Sequence, residues 1–358
     1  VPQKLDRSSA PDHPWAIVLT NLTKSLTESC TPSYDPDPLP RKRAIPKSSA
    51  ETAMRASVAG APVSFGVFEL TPKGAQTVGP DDLVETLALA GYGGVDLGPV
   101  GFLGRGRELR ARLERTGLEL AGGWIQLPFS DDEAFTASLP ELGEVLRIFA
   151  EAAEGGPKRL PLPTLADDGS EIRRARPGRG ADVDPLDDRR WSSVIRNVER
   201  ATVLTRAAGF EPTFHHHAGT YIESPEEIDR FLDAVDIGLT LDTGHLLIAG
   251  GDPLQAIQKW GSRVNHLHLK DVDASELTRV LAAGGGMREV WSSPSFVALG
   301  RGDIDLAAVM DSVDALGYDG WIVVEQDVLN APDAVIADFL AERGDDQRTN
   351  RQALRAWA

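Results

Sequence analysis

A single cysteine in 358 residues, Cys30, excludes a disulfide framework and any cysteine-based zinc site. Basic residues are also scarce, 37 Lys and Arg against 54 Asp and Glu, for a formal net charge of −17. Phosphate recognition depends on Lys and Arg, so this balance argues against a nucleic-acid partner. No stretch approaches the ~20 apolar residues that a membrane helix requires. The run Trp15-Ala-Ile-Val-Leu19 is too short for the apolar core of a secretory signal. What remains is a soluble, unprocessed protein without a membrane partner, in a reducing cytoplasm, that takes a small-molecule substrate. Its oligomeric state stays open, a homo-oligomer included.

Hydrophobic residues make up 41% of the chain, enough for a sizeable core. Residues 1–57 are different: Pro-Asp-Pro-Asp-Pro-Leu-Pro40, Arg41-Lys-Arg43 and a Ser/Ala/Thr stretch carry no sustained period. A segment of this kind buries too little apolar surface to offset its ordering entropy, and reads as a disordered extension. Met54 lies just ahead of the first strand-like run, so the segment is either a translated leader or a genuine flexible tail.

From Ala61 onward strand and helix signals alternate. Val63–Val67, Gly94–Leu97, Leu118–Leu127 and Lys158–Leu165 read as the first four strands. Four later runs, ending near His217, His245, Asp271 and Asp327, supply the fifth to eighth. Helices fall near Pro80, Arg105–Thr116, Asp131–Ala153, Asp187–Ala208, Pro225–Ala234, Pro253–Trp260 and Leu306–Leu316. Eight strands alternating with helices imply an α/β fold with right-handed crossovers, and eight is the number that closes a (β/α)8 TIM barrel. An open doubly wound sheet is the rival, but no Gly-x-Gly-x-x-Gly turn follows the first strand. The barrel spans 58–342, with irregular linkers at 166–186 and 274–302 and a short charged tail at 343–358.

Six of the seven histidines lie between positions 215 and 268, grouped at the ends of apolar runs; His13 lies in the extension. Side chains alternate along a strand, so His215 and His217 share one face and His216 takes the other. His266, His268 and Lys270 share a face, as do Glu325 and Asp327. Asp242 ends the sixth strand and His245 follows on its turn. Polar groups gathered at successive strand ends are what a site on the C-terminal face of a barrel requires. Mixed imidazoles and carboxylates suit a divalent transition metal better than magnesium or calcium. Asp242, His268 and Glu325 are expected ligands, with His215 or His217 as the fourth. His216 and His266 read as supporting residues. Such a set accepts manganese, cobalt, zinc or iron.

Leu-Asp-Thr-Gly-His245, His-Leu-His-Leu-Lys-Asp271 and Gly-Tyr-Asp-Gly-Trp-Ile-Val-Val-Glu325 resemble the motifs of the xylose isomerase-like TIM barrels over residues 61–340. That superfamily includes sugar-phosphate isomerases, epimerases and endonuclease IV. More narrowly, Gly94–Leu103, His215-His-His-Ala-Gly-Thr220 with its trailing Glu223–Asp229, and Leu299-Gly-Arg-Gly302 are similar to the inosose dehydratases. The resemblance implies elimination of water from a keto-inositol through an enolate, with manganese or cobalt as cofactor. By position it implies His215, Asp242, His268 and Glu325 as ligands. Isomerases and epimerases of the superfamily place a glutamate where this chain has His215, so a two-carboxylate proton exchange is disfavoured; a ketose isomerase or epimerase is the alternative. A barrel that binds sugar without turnover is the third reading. Endonuclease IV needs histidines on strands two and three, and this chain has none there.

Within this reading Glu325, His245, His217 and Lys270 are the catalytic candidates. An imidazole titrating near neutrality serves proton removal or return. Asp96, Trp124 and Gln126 end strands two and three and are expected to line the pocket, with Arg301 on the loop before the last helix reaching a substrate oxygen.

Overall fold

The computed structural model describes residues 56–68, 71, 76–331 and 333–358. Cys30, His13, Met54 and most of the 1–57 extension lie outside them. Parallel strands form one ring: β1 (Ser57–Gly60), β2 (Gly94–Val95), β3 (Glu119–Leu120), β4 (Gly122–Leu127), β5 (Leu162–Asp167), β6 (Thr213–His215), β7 (Gly238–Asp242), β8 (Val264–Leu269) and β11 (Trp321–Val324). β3 and β4 are halves of one strand, interrupted at Ala121. Ala121 N–H donates to Val95 and its carbonyl accepts from Leu162, so the interrupted strand still bridges β2 and β5 and closes the barrel. The last strand returns to the first through Ser57–Trp321 to Gly60–Val324 register. The eight-stranded barrel expected from the alternation is therefore present.

Each strand is followed by helical cover whose boundaries are chemically marked. α1 (Pro80–Ala90) starts with proline and two aspartates in its first turn and stops at Gly91, whose φ of 89° is a left-handed conformation. α2 (Gly106–Thr116) and α3 (Asp132–Ala153) cover the third strand, α3 capped by the Asp131 carboxylate. Two short helices, α4 (Glu171–Arg174) and α5 (Gly180–Val183), occupy the first expected linker before α6 (Asp188–Ala207). α7 (Pro225–Ala234) opens with a capping box between Ser224 and Glu227. α8 (Thr243–Ile248) and α9 (Pro253–Trp260) follow β7. The second expected linker is also structured. It holds α10 (Ala274–Ala282) and α11 (Met287–Trp291), flanked by an antiparallel pair of β9 (Asp271–Val272) with β10 (Phe296–Val297). α12 (Leu306–Ala315) and α13 (Ile336–Ala353) complete the ring.

Two further sequence expectations are corrected. Val63–Val67 is not the first strand; Pro62–Phe65 is a 3-10 turn, stopped by Gly66 at φ 70°, and β1 lies just upstream. Pro62 lacks the N–H a ladder needs. β1 is built of small residues because α1 packs closely there: a Cβ on Gly60 would meet Leu87 at 2.4 Å. Residues 343–358 are not a free charged tail either. α13 buries Arg343, Gln347 and Asn350; Gln347 accepts from the Tyr92 hydroxyl at 2.7 Å and Asn350 from Leu299 N–H at 2.8 Å.

Candidate active site

Register brings the chemistry to one rim. Asp242 on β7 pairs with His268 on β8, His268 with Val323 on β11, and His215 on β6 with Thr240 on β7. Glu325 follows β11 and stays in the ladder through its N–H to Leu269. His215 Nε2 lies 3.2 Å from His268 Nδ1 and 3.4 Å from Asp242 Oδ2. His268 Nδ1 is 3.8 Å from Asp242 Oδ2 and 3.1 Å from Glu325 Oε2. His215, rather than His217, is thus the β6 imidazole that meets Asp242 and His268.

These four donors suit a divalent transition ion. His215, Asp242 and His268 each offer a ligand atom within 4.8 Å of the other two, Glu325 joins them through Oε2 beside His268 Nδ1, and Asp242 Oδ2, fully buried, faces His215 Nε2 and the Lys270 ammonium without a well-aligned donor. Its other oxygen is used by the backbone, accepting from His245 N–H at 2.8 Å as the cap of α8. His216 faces outward and accepts from Asp242 N–H at 3.2 Å, so it supports the strand end from behind.

Lys270 reaches into the same centre, 3.1 Å from Asp242, 3.0 Å from Glu325 and 2.9 Å from Asp327. Burial opposes its charge, but the three carboxylates hold its pKa above the ordinary lysine range. Burial likewise works against ionised Asp242 and Glu325; Lys270 with the neighbouring histidines nevertheless keeps both carboxyls below their usual range. Burial depresses His215, while Glu325, Asp242 and Asp96 outweigh it at His268 and raise that pKa.

A cavity of about 220 Å³ opens over this centre. His215, His217, His268, Lys270, Glu325, Asp96, Trp124 and Gln126 all border it, as their strand-end positions require. Trp124 sets its ring edge against His215 and His217, at centroid distances of 5.2 and 5.1 Å. His217 Nδ1 lies 2.8 Å from the Ala218 carbonyl. A carbonyl only accepts, so Nδ1 carries the proton and Nε2 keeps its lone pair. Burial also lowers the His217 pKa well below its usual value, which favours this neutral form.

Two candidates sit elsewhere. His245 is fully buried behind His217, their rings 3.5 Å apart, and bonds Asp327 at 3.2 Å; it does not border the cavity. Arg301 points to solvent, 62% exposed and 3.7 Å from Asp346 on α13. Beside Lys270, the cavity wall carries a second cation, Arg174, at the end of α4, which donates to the Asp168 carbonyl at 2.6 Å and to Glu171 at 2.8 Å. Asp168, Trp291 and Phe68 also border the cavity. Sequence reading passed over Arg174, Asp168 and Trp291 because they sit in stretches taken for irregular linkers. The usable signal was topological: both stretches follow strand C-termini, where barrel sites are built.

Among the described residues, no helix is long and apolar enough to cross a membrane. The sequence pattern of the xylose isomerase-like TIM barrels matches residues 84–355. The chain is 30% identical over 258 residues to the inosose dehydratase of Geobacillus thermodenitrificans, covering 68% of this chain and 81% of that one. Solved structures share the fold at low identity. A D-allulose 3-epimerase from Methylomonas sp. in complex with D-allulose has a TM-score of 0.59 at 13% identity, covering 85% and 98% of the two chains. The IolI protein with a bound zinc atom has a TM-score of 0.59 at 12% identity, covering 84% and 97%. By sequence pattern, closed barrel and strand-end site together, this chain belongs to the xylose isomerase-like TIM barrel family.

Proposed function

We propose that the protein is a metal-dependent lyase of the inosose dehydratase type, eliminating water from a keto-inositol. The observation that carries this is the rim itself. His215 Nε2, Asp242 Oδ2 and His268 Nδ1 converge beneath a cavity of about 220 Å³, with Glu325 Oε2 beside His268, and β6 contributes an imidazole rather than a second carboxylate. Two opposed carboxylates would let a proton leave one face of a carbon and return on the other. With His215 in that place, epimerisation loses its second base. The 30% identity to an inosose dehydratase supports the same choice. The epimerase reading draws its support from a shared fold alone.

His215, Asp242, His268 and Glu325 would hold the cation, and when bound it supplies Lewis-acid polarisation of a substrate ketone. Manganese or cobalt is the proposed ion; the donor set is equally open to the zinc that the IolI protein binds. His217, which borders the cavity and keeps its Nε2 lone pair free, takes the proton alpha to the ketone. The resulting imidazolium returns a proton to the departing hydroxyl, which leaves as water. Lys270, held cationic by Asp242, Glu325 and Asp327, stabilises negative charge that develops on the enolate. Trp124 offers its face to the C–H surface of a ring. His245 holds the His217 ring by stacking and is itself fixed by Asp327. The near absence of cysteine fits a cytoplasmic site of action.

The experiment is a turnover assay of the manganese- or cobalt-loaded protein on 2-keto-myo-inositol. It follows diketone absorbance alongside exchange of the alpha proton with solvent. Dehydration is the expected result, and His217→Asn should lower kcat by about 10²–10⁴ with metal content unchanged. Exchange without dehydration would move the assignment to the epimerase class.

A further inference from the structure

One layer deeper in the barrel, two residues before His268 on β8, His266 faces Asp96 from the end of β2. Asp96 Oδ2, both ring nitrogens of His266 and His268 Nε2 are buried without a hydrogen-bond partner. Each such group left unmet costs about 1–3 kcal/mol, so native interiors seldom keep four together. The other Asp96 oxygen is engaged, accepting from Gly98 N–H at 3.2 Å. Asp96, His266 and His268 each offer an atom within 4.8 Å of the other two. Atoms so spaced leave a point between them no more than about 2.8 Å from each, within reach of a single bridging molecule.

Gly122 supplies the room. A Cβ on that residue would meet His266 Nε2 at 3.1 Å, Asp96 Oδ2 at 3.3 Å and the Leu162 carbonyl oxygen at 3.0 Å. Its backbone is not in the left-handed region, so strain does not demand a glycine there. The polar groups around the missing side chain give glycine its purpose.

We propose that the space beside Gly122 binds one water molecule that links His268 to Asp96 and His266. Asp96 is thereby a positioning residue for the metal-ligand imidazole, an inference that rests on the metal-site reading of His268. His268 turns Nδ1 toward Glu325 and His215, at 3.1 and 3.2 Å. To offer that nitrogen's lone pair to a cation, the ring must carry its proton on Nε2. A water backed by the Asp96 carboxylate accepts that proton in a hydrogen bond, which selects the tautomer and strengthens the imidazole as a donor. Two to four polar partners are what a buried water needs, and Asp96, His266, His268 and the Leu162 carbonyl supply them.

The test uses the full chain stripped of metal and titrated with Co2+ against a competing chelator, read by visible absorption. The wild type should bind one Co2+. Asp96→Asn should weaken that affinity by about 10–100-fold. Gly122→Ala, whose methyl would crowd His266 Nε2, Asp96 Oδ2 and the water between them, should weaken it in the same direction. Asp96→Asn should keep a metal-free melting temperature close to the wild type's, whereas Gly122→Ala, which crowds the water and its polar partners, should lower it. Wild-type Co2+ affinity in both variants would overturn the coupling while leaving the metal site intact. So would a raised KM for Asp96→Asn at unchanged Co2+ affinity, because Asp96 would then be binding substrate directly. A second Co2+ lost on His266→Gln would make the space a cation site and overturn the water. A wild type that binds no Co2+ would remove the metal-site reading and this inference with it.

Discussion

Replacing Lys270 by methionine keeps most of its stem and deletes one charge at the centre of the site. Lys270 is 2% exposed, and its ammonium is within 3.1 Å of Asp242, Glu325 and Asp327. In the metal-free protein these three carboxylates, formally −3, face a lysine of +1. Removing one partner of a buried ionic cluster costs about 3–5 kcal/mol, because the remaining charges are left desolvated and uncompensated. At about 2–4 °C per kcal/mol for a domain of this class, Lys270→Met should lower the metal-free melting temperature by roughly 6–20 °C.

The pH dependence has a definite sign. Asp242 and Glu325 are held below the ordinary carboxylate range in the folded protein, so their contribution to stability is present above about pH 4 and is lost as pH falls. Lys270 is a principal cause of that depression, so the gap between wild type and variant should be widest near neutrality and shrink in acid. A divalent ion supplies replacement positive charge, so saturating Mn2+ should recover most of the lost stability by binding only the folded state. Melting curves with Mn2+ and with chelator, at pH 3.5 and 7.5, carry the measurement. A metal-free variant melting within 1–2 °C of wild type would refute the electrostatic account, as would a deficit that saturating Mn2+ leaves unchanged.

Two further outcomes test other parts of the molecule. Asp167 is buried with one oxygen unpartnered, and burial, reinforced by Asp168, raises its pKa to about 7. The folded protein therefore keeps a proton that the unfolded chain releases near pH 4, and stability should fall by on the order of 4 kcal/mol as pH rises from about 4 to 7. Asp167→Asn should flatten that slope in denaturant titrations at pH 5 and 8; equal slopes would show that Asp167 is not the titrating group. At the cavity, Arg174→Ala should raise KM with Mn2+ affinity unchanged, and Arg301→Ala should leave both parameters at wild-type values. The reverse pattern would show that the loop before α12 closes over the substrate.

The barrel was legible because its strands are buried on both faces and its helices on one. Trp321–Val324 is wholly buried and reads as a plain apolar run. α7 announces itself with Ser224, Pro225 and Glu227. What escaped notice lacked those signals for physical reasons. β1 is Ser-Val-Ala-Gly, small because Leu87 occupies the space a larger side chain would take, so its hydrophobicity is too weak to mark a strand. α13 buries Arg343, Gln347 and Asn350, and these meet partners such as Tyr92 and Leu299 by hydrogen bonding. A helix docked by polar contacts leaves no apolar period to find.

Strand alternation was enough to put His215, His268 and Glu325 on the interior face, and barrel topology was enough to put them at one rim. It fell short wherever depth along the strand decides contact. His217 and His245 looked equivalent as imidazoles near strand ends, yet one borders the cavity and the other lies behind it. The reason is that α8 begins at Asp242: its first turn carries His245 inward under Lys270 and Asp327, while the chain after His215 turns along the rim toward Ala218. The same distinction separates the two arginines. Gly300 and Gly302 donate their N–H groups to the Asp271 carboxylate at 2.8 and 2.9 Å, which pins the loop between them and leaves Arg301 at its outer edge. Arg174 belongs to a helix inserted directly above β5, where side-chain reach ends at the cavity. Loop anchoring, rather than residue type, therefore decides which cation meets the substrate, and sequence patterns carry that information only when the anchoring carboxylate is read together with the glycines it holds.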